Sequence, residues 1–155
     1  MTEKKLDDID KGILEILQED AKCRHKEIAA QLGLSTTPIY ERVKRLEREG
    51  YIKSYVALVD ADKLGKKLTV FCSVTLDQHV QEKLEEFVAK VNSFPEVMEC
   101  YHVTGQYDYM LKVLVADIRD YQHFLINKLS AIDNLAHVTS SFVMGEVKHE
   151  TALPL

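Results

Sequence analysis

Residues 25–52, HKEIAAQLGLSTTPIYERVKRLEREGYI, constrain the fold more than any other stretch of the chain. They read as a short helix, a tight turn and a second helix that ends on a glycine. Ala29 lets the two helices approach, Gly33 lets the chain turn, and Leu34 plugs the space beneath. Ser35 is a favourable N-cap for the second helix, and Pro38 falls in its first turn, where a missing N–H costs little. Ile39, Val43 and Leu46 recur at i, i+4 and i+7 and form one inward stripe. The opposite face carries Thr37, Glu41, Lys44, Arg45 and Arg48, flanked by Tyr40 and Arg42. Gly50 stands where a C-cap glycine belongs. A helix-turn-helix with a DNA-reading second helix fits every one of these features. A merely solvated helix face is the plainer alternative, and the three acids between residues 41 and 49 keep this face from being a solid basic patch.

Upstream, Leu6, Ile9, Ile13, Leu14 and Leu17 repeat at helical spacing. Asp7, Asp8 and Asp10 sit where a helix dipole favours acids, so a bracing helix is expected over 7–19. The second helix is expected over 25–32. His25 and Lys26 at its start can reach phosphate or simply be solvated. After the third helix, residues 51–59 (YIKSYVALV) alternate β-branched and aromatic side chains and predict a strand. The polar run 60–67 ends the segment.

The second half changes rhythm. Strands are expected over 68–76, 97–103, 107–115 and 137–148, with amphipathic helices over 80–91 and 118–132. Thr104-Gly105-Gln106 forms the bend of a hairpin. That order, βαββαβ, is the ferredoxin-like arrangement. The fold class is therefore α+β: an N-terminal helix-turn-helix domain (1–52), a strand and linker (53–67), and a ferredoxin-like βαββαβ domain (68–155). Both helices on one sheet face leave the other face for a partner, most simply a second copy of the chain.

The net charge of −5 over 155 residues argues against a general nucleic-acid coat, but most of the excess acid lies after residue 65. Cys23, Cys72 and Cys100 are far apart and without CxxC spacing, which predicts reduced thiols in the cytoplasm rather than a disulfide framework. The charged start (Lys4, Lys5, Asp7, Asp8) is unlike a signal peptide, and no apolar run is long enough to span a membrane. His25, His79, His102, His123, His137 and His149 show no zinc-ligand spacing, so no metal is expected.

Three segments in this order, LDDIDKGILEILQEDAK (6–22), EIAAQLGLS followed by YERVKRLEREGYI (27–52), and VTGQYDYMLKV (103–113), resemble the Lrp/AsnC, or feast/famine, family of transcription regulators. The resemblance covers nearly the whole chain. It implies that the helix-turn-helix domain is winged-helix-like and that 53–67 is a hinge strand and linker. It also implies a regulatory domain that binds an amino acid or related metabolite as effector, no other cofactor, and double-stranded DNA as partner. It also implies dimers that assemble into octamers, with effector bound between dimers. Carried over by position, Ser35, Thr36, Thr37, Tyr40, Glu41, Arg42, Lys44 and Arg45 face DNA, with Arg48 beside them. Arg and Lys suit phosphates or guanine edges, and Thr37 and Tyr40 suit base or sugar contact. Glu41 can accept from a cytosine amino group or pair with Arg45 at i+4, the pairing being preferred. Arg42 lies close enough to the apolar stripe to pair with an acid on a neighbouring helix.

The effector site implied by the resemblance centres on His102, Thr104, Gly105, Gln106, Tyr107 and Asp108. Backbone N–H groups around Gly105 can hold a carboxylate, and Asp108 can accept from an ammonium group. A hairpin-bracing acid is the alternative role for Asp108. Ile118, Ala136, His137, Ser140, Ser141 and Phe142 are expected to line the side-chain end, where His102 and His137 hint at a polar ligand. Two other function classes stay in view. Tetrapyrrole decarboxylases look like this family in fold, but such chemistry needs convergent His, Arg or Tyr residues, and the second half has only Arg119 as an arginine. A DNA-architectural protein that ignores effectors would bind in a sequence-tolerant, steeply salt-dependent way.

Overall fold

Charged caps set the beginning of the first helix. In this computed structural model, which describes residues 5–155, α1 spans Asp8–Glu19. Lys4 of the charged start lies outside the described residues. Asp7 caps α1 by accepting from the Asp10 N–H at 2.8 Å, while the Asp10 carboxylate accepts from the Asp7 N–H at 3.2 Å. This is a capping box with an aspartate in its third position. α2 spans His25–Gln31, and Glu27 returns to the Arg24 N–H at 2.9 Å. Gly33 takes φ +66° and turns the chain into α3, Thr36–Arg48. Ser35 occupies the cap position of α3, but its side chain makes no capping hydrogen bond, contrary to expectation. Gly50 at φ +79° ends the helix in the left-handed conformation that glycine tolerates best. Ile13, Leu14, Ile28, Ile39, Val43 and Leu46 are buried together as the core of this three-helix unit.

The expected strand over 51–59 is absent. Those residues make no ladder, because a strand needs a neighbour and no other described strand of the chain pairs with them. Tyr55, Val56, Leu58 and Val59 are consequently exposed. The chain divides into two compact units: the first runs to Leu58 and includes Val147–Leu155, and the second is Val59–Glu146. The tail belongs to the first unit, where the Gln18 amide exchanges two hydrogen bonds with the Leu153 backbone, at 2.7 and 3.1 Å. It was expected to be part of the second.

The second unit has the βαββαβ order: β1 Leu68–Leu76, α4 Gln81–Asn92, β2 Val97–His102, β3 Tyr109–Val115, α5 Ile118–Phe124 and β4 Leu135–Phe142. α5 continues through a π-helical turn, Leu125–Leu129. The strands form one antiparallel sheet in the order β2-β3-β1-β4. Alternation decides the faces. Val70, Cys72 and Val74 of β1 and Leu111 and Val113 of β3 are buried with Phe87, Val91, Phe124 and Leu129, so both helices cover one side. Thr69, Phe71, Ser73 and Thr75 point to the other side, with Met110 and Lys112 beside them. β4 stops at Phe142 rather than at Lys148. It pairs with β1 as far as Val70, and the Val143 N–H then reaches the Thr69 carbonyl at 3.0 Å. Beyond that point little of β1 remains to pair with. Among the described residues no helix is long and apolar enough to cross a membrane.

Candidate nucleic-acid interface and ligand site

Because Ile39, Val43 and Leu46 are fully packed, α3 is locked in rotation, and the side chains on its far side are presented as a set. Ser35, Thr36, Thr37, Tyr40, Glu41, Lys44 and Arg48 are all exposed. Tyr40 is braced from both sides. The His25 ring meets it edge-on at 5.5 Å, and the Lys44 ammonium lies 5.9 Å from its ring centre. The Lys44 Nζ donates to Glu47 at 2.8 Å, and the Tyr55 hydroxyl donates to the other Glu47 oxygen at 3.0 Å. Burial, and then Glu47, push the Tyr55 hydroxyl up to about 12.

Arg42 and Arg45 depart from the expected outward pose. Arg42 Nη1 reaches Asp7 at 2.7 Å and Asp10 at 2.7 Å, and Arg45 Nη2 reaches Asp10 at 2.5 Å. Asp10 is 1% exposed, so its carboxylate pulls both guanidinium groups inward to replace lost water. Arg42 thus takes the alternative role of pairing with acids on a neighbouring helix. The Glu41–Arg45 pair does not form, because Arg45 is already engaged with Asp10 and approaches Glu49 instead, at 3.9 Å. Burial tends to raise the Asp10 pKa, but hydrogen bonds from Arg45, Arg42 and the Asp7 N–H outweigh it and bring it to about 2. Glu47 was not singled out from the sequence, and Asp10 and Tyr55 were read only as a helix-start acid and a strand residue. A buried-phase aspartate with two arginines 32 and 35 positions later is a signal only in hindsight of the fold.

In the second unit the loop after β2 is closed by the Val103 N–H on the Asp108 carbonyl at 2.9 Å, with Gly105 at φ +118°. Thr104, Gly105 and Gln106 are exposed at its tip, and Tyr107 is half-buried. The His102 ring stacks on Tyr109 at 4.8 Å. The Asp108 carboxylate accepts from the Leu76 N–H at 2.8 Å and meets His79 Nε2 at 2.9 Å. The Leu76 N–H, then His79, hold this carboxyl below its ordinary range despite partial burial. Asp108 therefore braces the hairpin against β1, and it stays ionised while doing so.

The other expected ligand residues do not gather around this loop. His137 pairs with Thr75 at the loop end of the sheet, with Ala136 next to it, whereas Ser141 pairs with Phe71 and Phe142 with Val70. His137 and Phe142 are five positions apart along the strand, or roughly 16 Å. Ile118 follows β3 at Val115, which pairs with Leu68, again at the far end. The period of two also splits neighbours. Ser140 and Phe142 turn to the helix layer, where the Ser140 hydroxyl meets the Tyr121 hydroxyl and the Phe142 ring meets Tyr121 edge-on at 5.2 Å. Ser141 faces the uncovered side. Within one chain these residues thus form two groups at opposite ends of one sheet. A groove of about 710 Å³ between α4 and the turn at 131–134 contains none of these residues.

Comparison with known proteins covers both units. Residues 6–53 match the family described as winged helix-turn-helix DNA-binding, and residues 69–153 that described as the Lrp/AsnC ligand binding domain. The chain is 40% identical over 150 residues to the Bkd operon transcriptional regulator of Pseudomonas aeruginosa, covering 97% of this chain and 98% of that one. It is 41% identical over 152 residues to the glutamate uptake regulatory protein of Zymomonas mobilis, covering 98% and 92%. Among solved structures, a transcriptional regulator from Neisseria meningitidis in complex with L-Met superposes with a TM-score of 0.93 at 33% identity, covering 97% of each chain.

Proposed function

The chain belongs to the Lrp/AsnC family of transcriptional regulators, and from that premise we propose that it binds specific DNA sequences and that an amino acid or related metabolite alters its assembly or DNA affinity. The observation that carries this reading is the far side of α3. Its inner stripe is fully packed, and Thr36, Thr37, Tyr40, Lys44 and Arg48 stand exposed together on a rigid helix. Lys44 and Arg48 serve phosphates, while Thr37 and Tyr40 serve sugar or base edges. Arg42 and Arg45 hold the helix in place instead of touching DNA.

A dimer supplies what one chain lacks. The uncovered sheet face (Phe71, Met110, Tyr101) and the segment's Tyr55, Val56, Leu58 and Val59 are apolar and exposed, so a second copy has surface to cover. Assembly of dimers, up to an octamer, also offers a way to bring the loop end of one sheet against residues of another chain. That reunites the two half-sites. The relative captured with L-Met supports an amino acid as the effector class.

The direct test is capture of genomic fragments by purified protein, followed by footprinting. A thermal-shift screen against the amino acids and their immediate metabolites accompanies it, since a ligand bound only by the folded state raises Tm. Enriched fragments sharing one footprint, together with a ligand hit, support the regulator. Uniform, sequence-tolerant retention without any hit points to an architectural protein.

Asp108 separates charge from scaffold. Asp108→Asn keeps an acceptor for the Leu76 N–H and removes the negative charge. Its expected result is unchanged DNA binding with loss of the ligand-induced shift. Asp108→Ala also leaves the Leu76 N–H unpaired, so Tm should fall by the equivalent of about 1–3 kcal/mol. A full ligand shift in both variants removes Asp108 from the effector site.

A further inference from the structure

A hydrogen-bonded chain runs from residue 55 to the face of α3 and ends on Lys44, one of the cations just assigned to DNA phosphate. Lys44 is one of the few cations on that face, yet its ammonium is not free. Glu47, one turn on, accepts from it at 2.8 Å. The same carboxylate is held from behind by the Tyr55 hydroxyl at 3.0 Å, and Tyr55 belongs to the segment that leads out of the helical unit. Glu47 is half-buried, with 30% of its side chain exposed against 51% for Lys44, so the carboxylate is the fixed member and the lysine the mobile one. With one oxygen engaged by Tyr55, the carboxylate keeps the other aimed at Lys44.

We propose that Tyr55, Glu47 and Lys44 form a relay through which the connecting segment sets how much positive charge α3 offers to DNA phosphate. Glu47 acts as an internal stand-in for phosphate. While Tyr55 holds it, Lys44 is neutralised on the surface that meets DNA. When residues 53–59 change their conformation or pair with another strand, Tyr55 leaves, the carboxylate swings free, and Lys44 is released. An exposed ion pair of this kind contributes little to stability, so exchange of Glu47 for a phosphate is inexpensive. The effect belongs to affinity and salt dependence rather than to folding. It rests on the regulator reading, because it needs α3 to meet DNA.

The experiment titrates a fluorescent mixed-sequence duplex, about three helical turns long, across a salt series with the full-length protein. Phosphate contacts do not depend on sequence, so no operator is required. Glu47→Gln is expected to bind roughly threefold tighter at low salt, and its slope of log affinity against log salt steepens by about 0.9, the signature of one more phosphate contact. Tyr55→Phe shifts both quantities in the same direction by less. The double variant matches Glu47→Gln alone, because Tyr55 acts only through Glu47. Lys44→Ala erases the gain in either background. Unaltered slope and affinity in Glu47→Gln, with Tm unchanged, overturn the relay while leaving DNA binding in place. Additive effects of the two variants overturn Tyr55 as its upstream member. Failure of the wild-type protein to bind any duplex instead sinks the regulator reading, and the relay with it.

Discussion

Asp10→Ala is expected to destabilise the helical unit by about 3–5 kcal/mol, a large share of the 5–15 typical of a folded domain. Asp10 has 1% of its side chain exposed and receives Arg42 at 2.7 Å and Arg45 at 2.5 Å. It also accepts from the Asp7 N–H at 3.2 Å. Removing it leaves Arg42 with Asp7 alone, Arg45 with only Glu49 at 3.9 Å, and half of a capping box open. Urea denaturation of the full-length protein measures the loss, with exposed Asp8→Ala on the same helix as the near-neutral control. DNA binding should fall along with the folded fraction. Arg45→Ala should behave similarly, since it leaves Asp10 buried with fewer partners. Full stability combined with weakened DNA binding in Arg45→Ala would mean that this side chain reaches DNA after all. A pH series gives an independent reading. The folded Asp10 pKa is about 2 against an unfolded value near 3.8, so its contribution is complete above pH 4. That contribution, about 2 kcal/mol, is lost as pH falls from 4 toward 2.

The arginine cluster also marks where the sequence stops being legible. Helical spacing assigns each residue of α3 an angle around the axis, and for Ile39, Val43 and Leu46 that angle suffices, because an apolar side chain follows its Cβ. Arg42 and Arg45 have long stems at the margin of the stripe, and their tips go to whichever charge is least hydrated. That charge is Asp10, more than 30 positions away. The same limit governs the ligand residues. Spacing within 136–142 reveals a strand. Which of its residues share a face with the loop at 102–108 depends on the pairing of β4 with β1, a register no local pattern encodes. The strand expected over 51–59 fails for another reason. Its alternation is real, but ladder bonds require a neighbouring strand, and none of the described residues provides one. What was legible is what local chemistry determines: the βαββαβ order, the left-handed glycines at 33 and 50, and the start of α1 at its aspartates.

Phe71→Glu is expected to turn the proposed dimer into single chains and to lower operator affinity by about two orders of magnitude or more. Phe71 is in the middle of β1, on the sheet face that neither helix covers, and it remains 37% exposed in the isolated chain. Its cross-strand neighbours there are Lys112 on β3 and Ser141 on β4. A glutamate at this exposed position stands beside Lys112, which already pairs with Glu99 at 3.0 Å and can be shared, so the monomer tolerates it. Two copies stacked face to face would bury that charge against the partner's apolar surface, and the cost of desolvation opposes association. Loss of the dimer reaches DNA through geometry. One recognition helix bound to a half-site raises the effective concentration of its tethered twin, and this linkage is worth about 10²–10⁴ in affinity. Sedimentation velocity reads the mass, and a gel shift on the captured operator reads the affinity. Ile126→Glu, on the helix layer where the side chain is 66% exposed, serves as the control that keeps both. If Phe71→Glu stays dimeric while Ile126→Glu dissociates, the two chains meet through their helices, and the uncovered sheet face is left for the assembly of dimers.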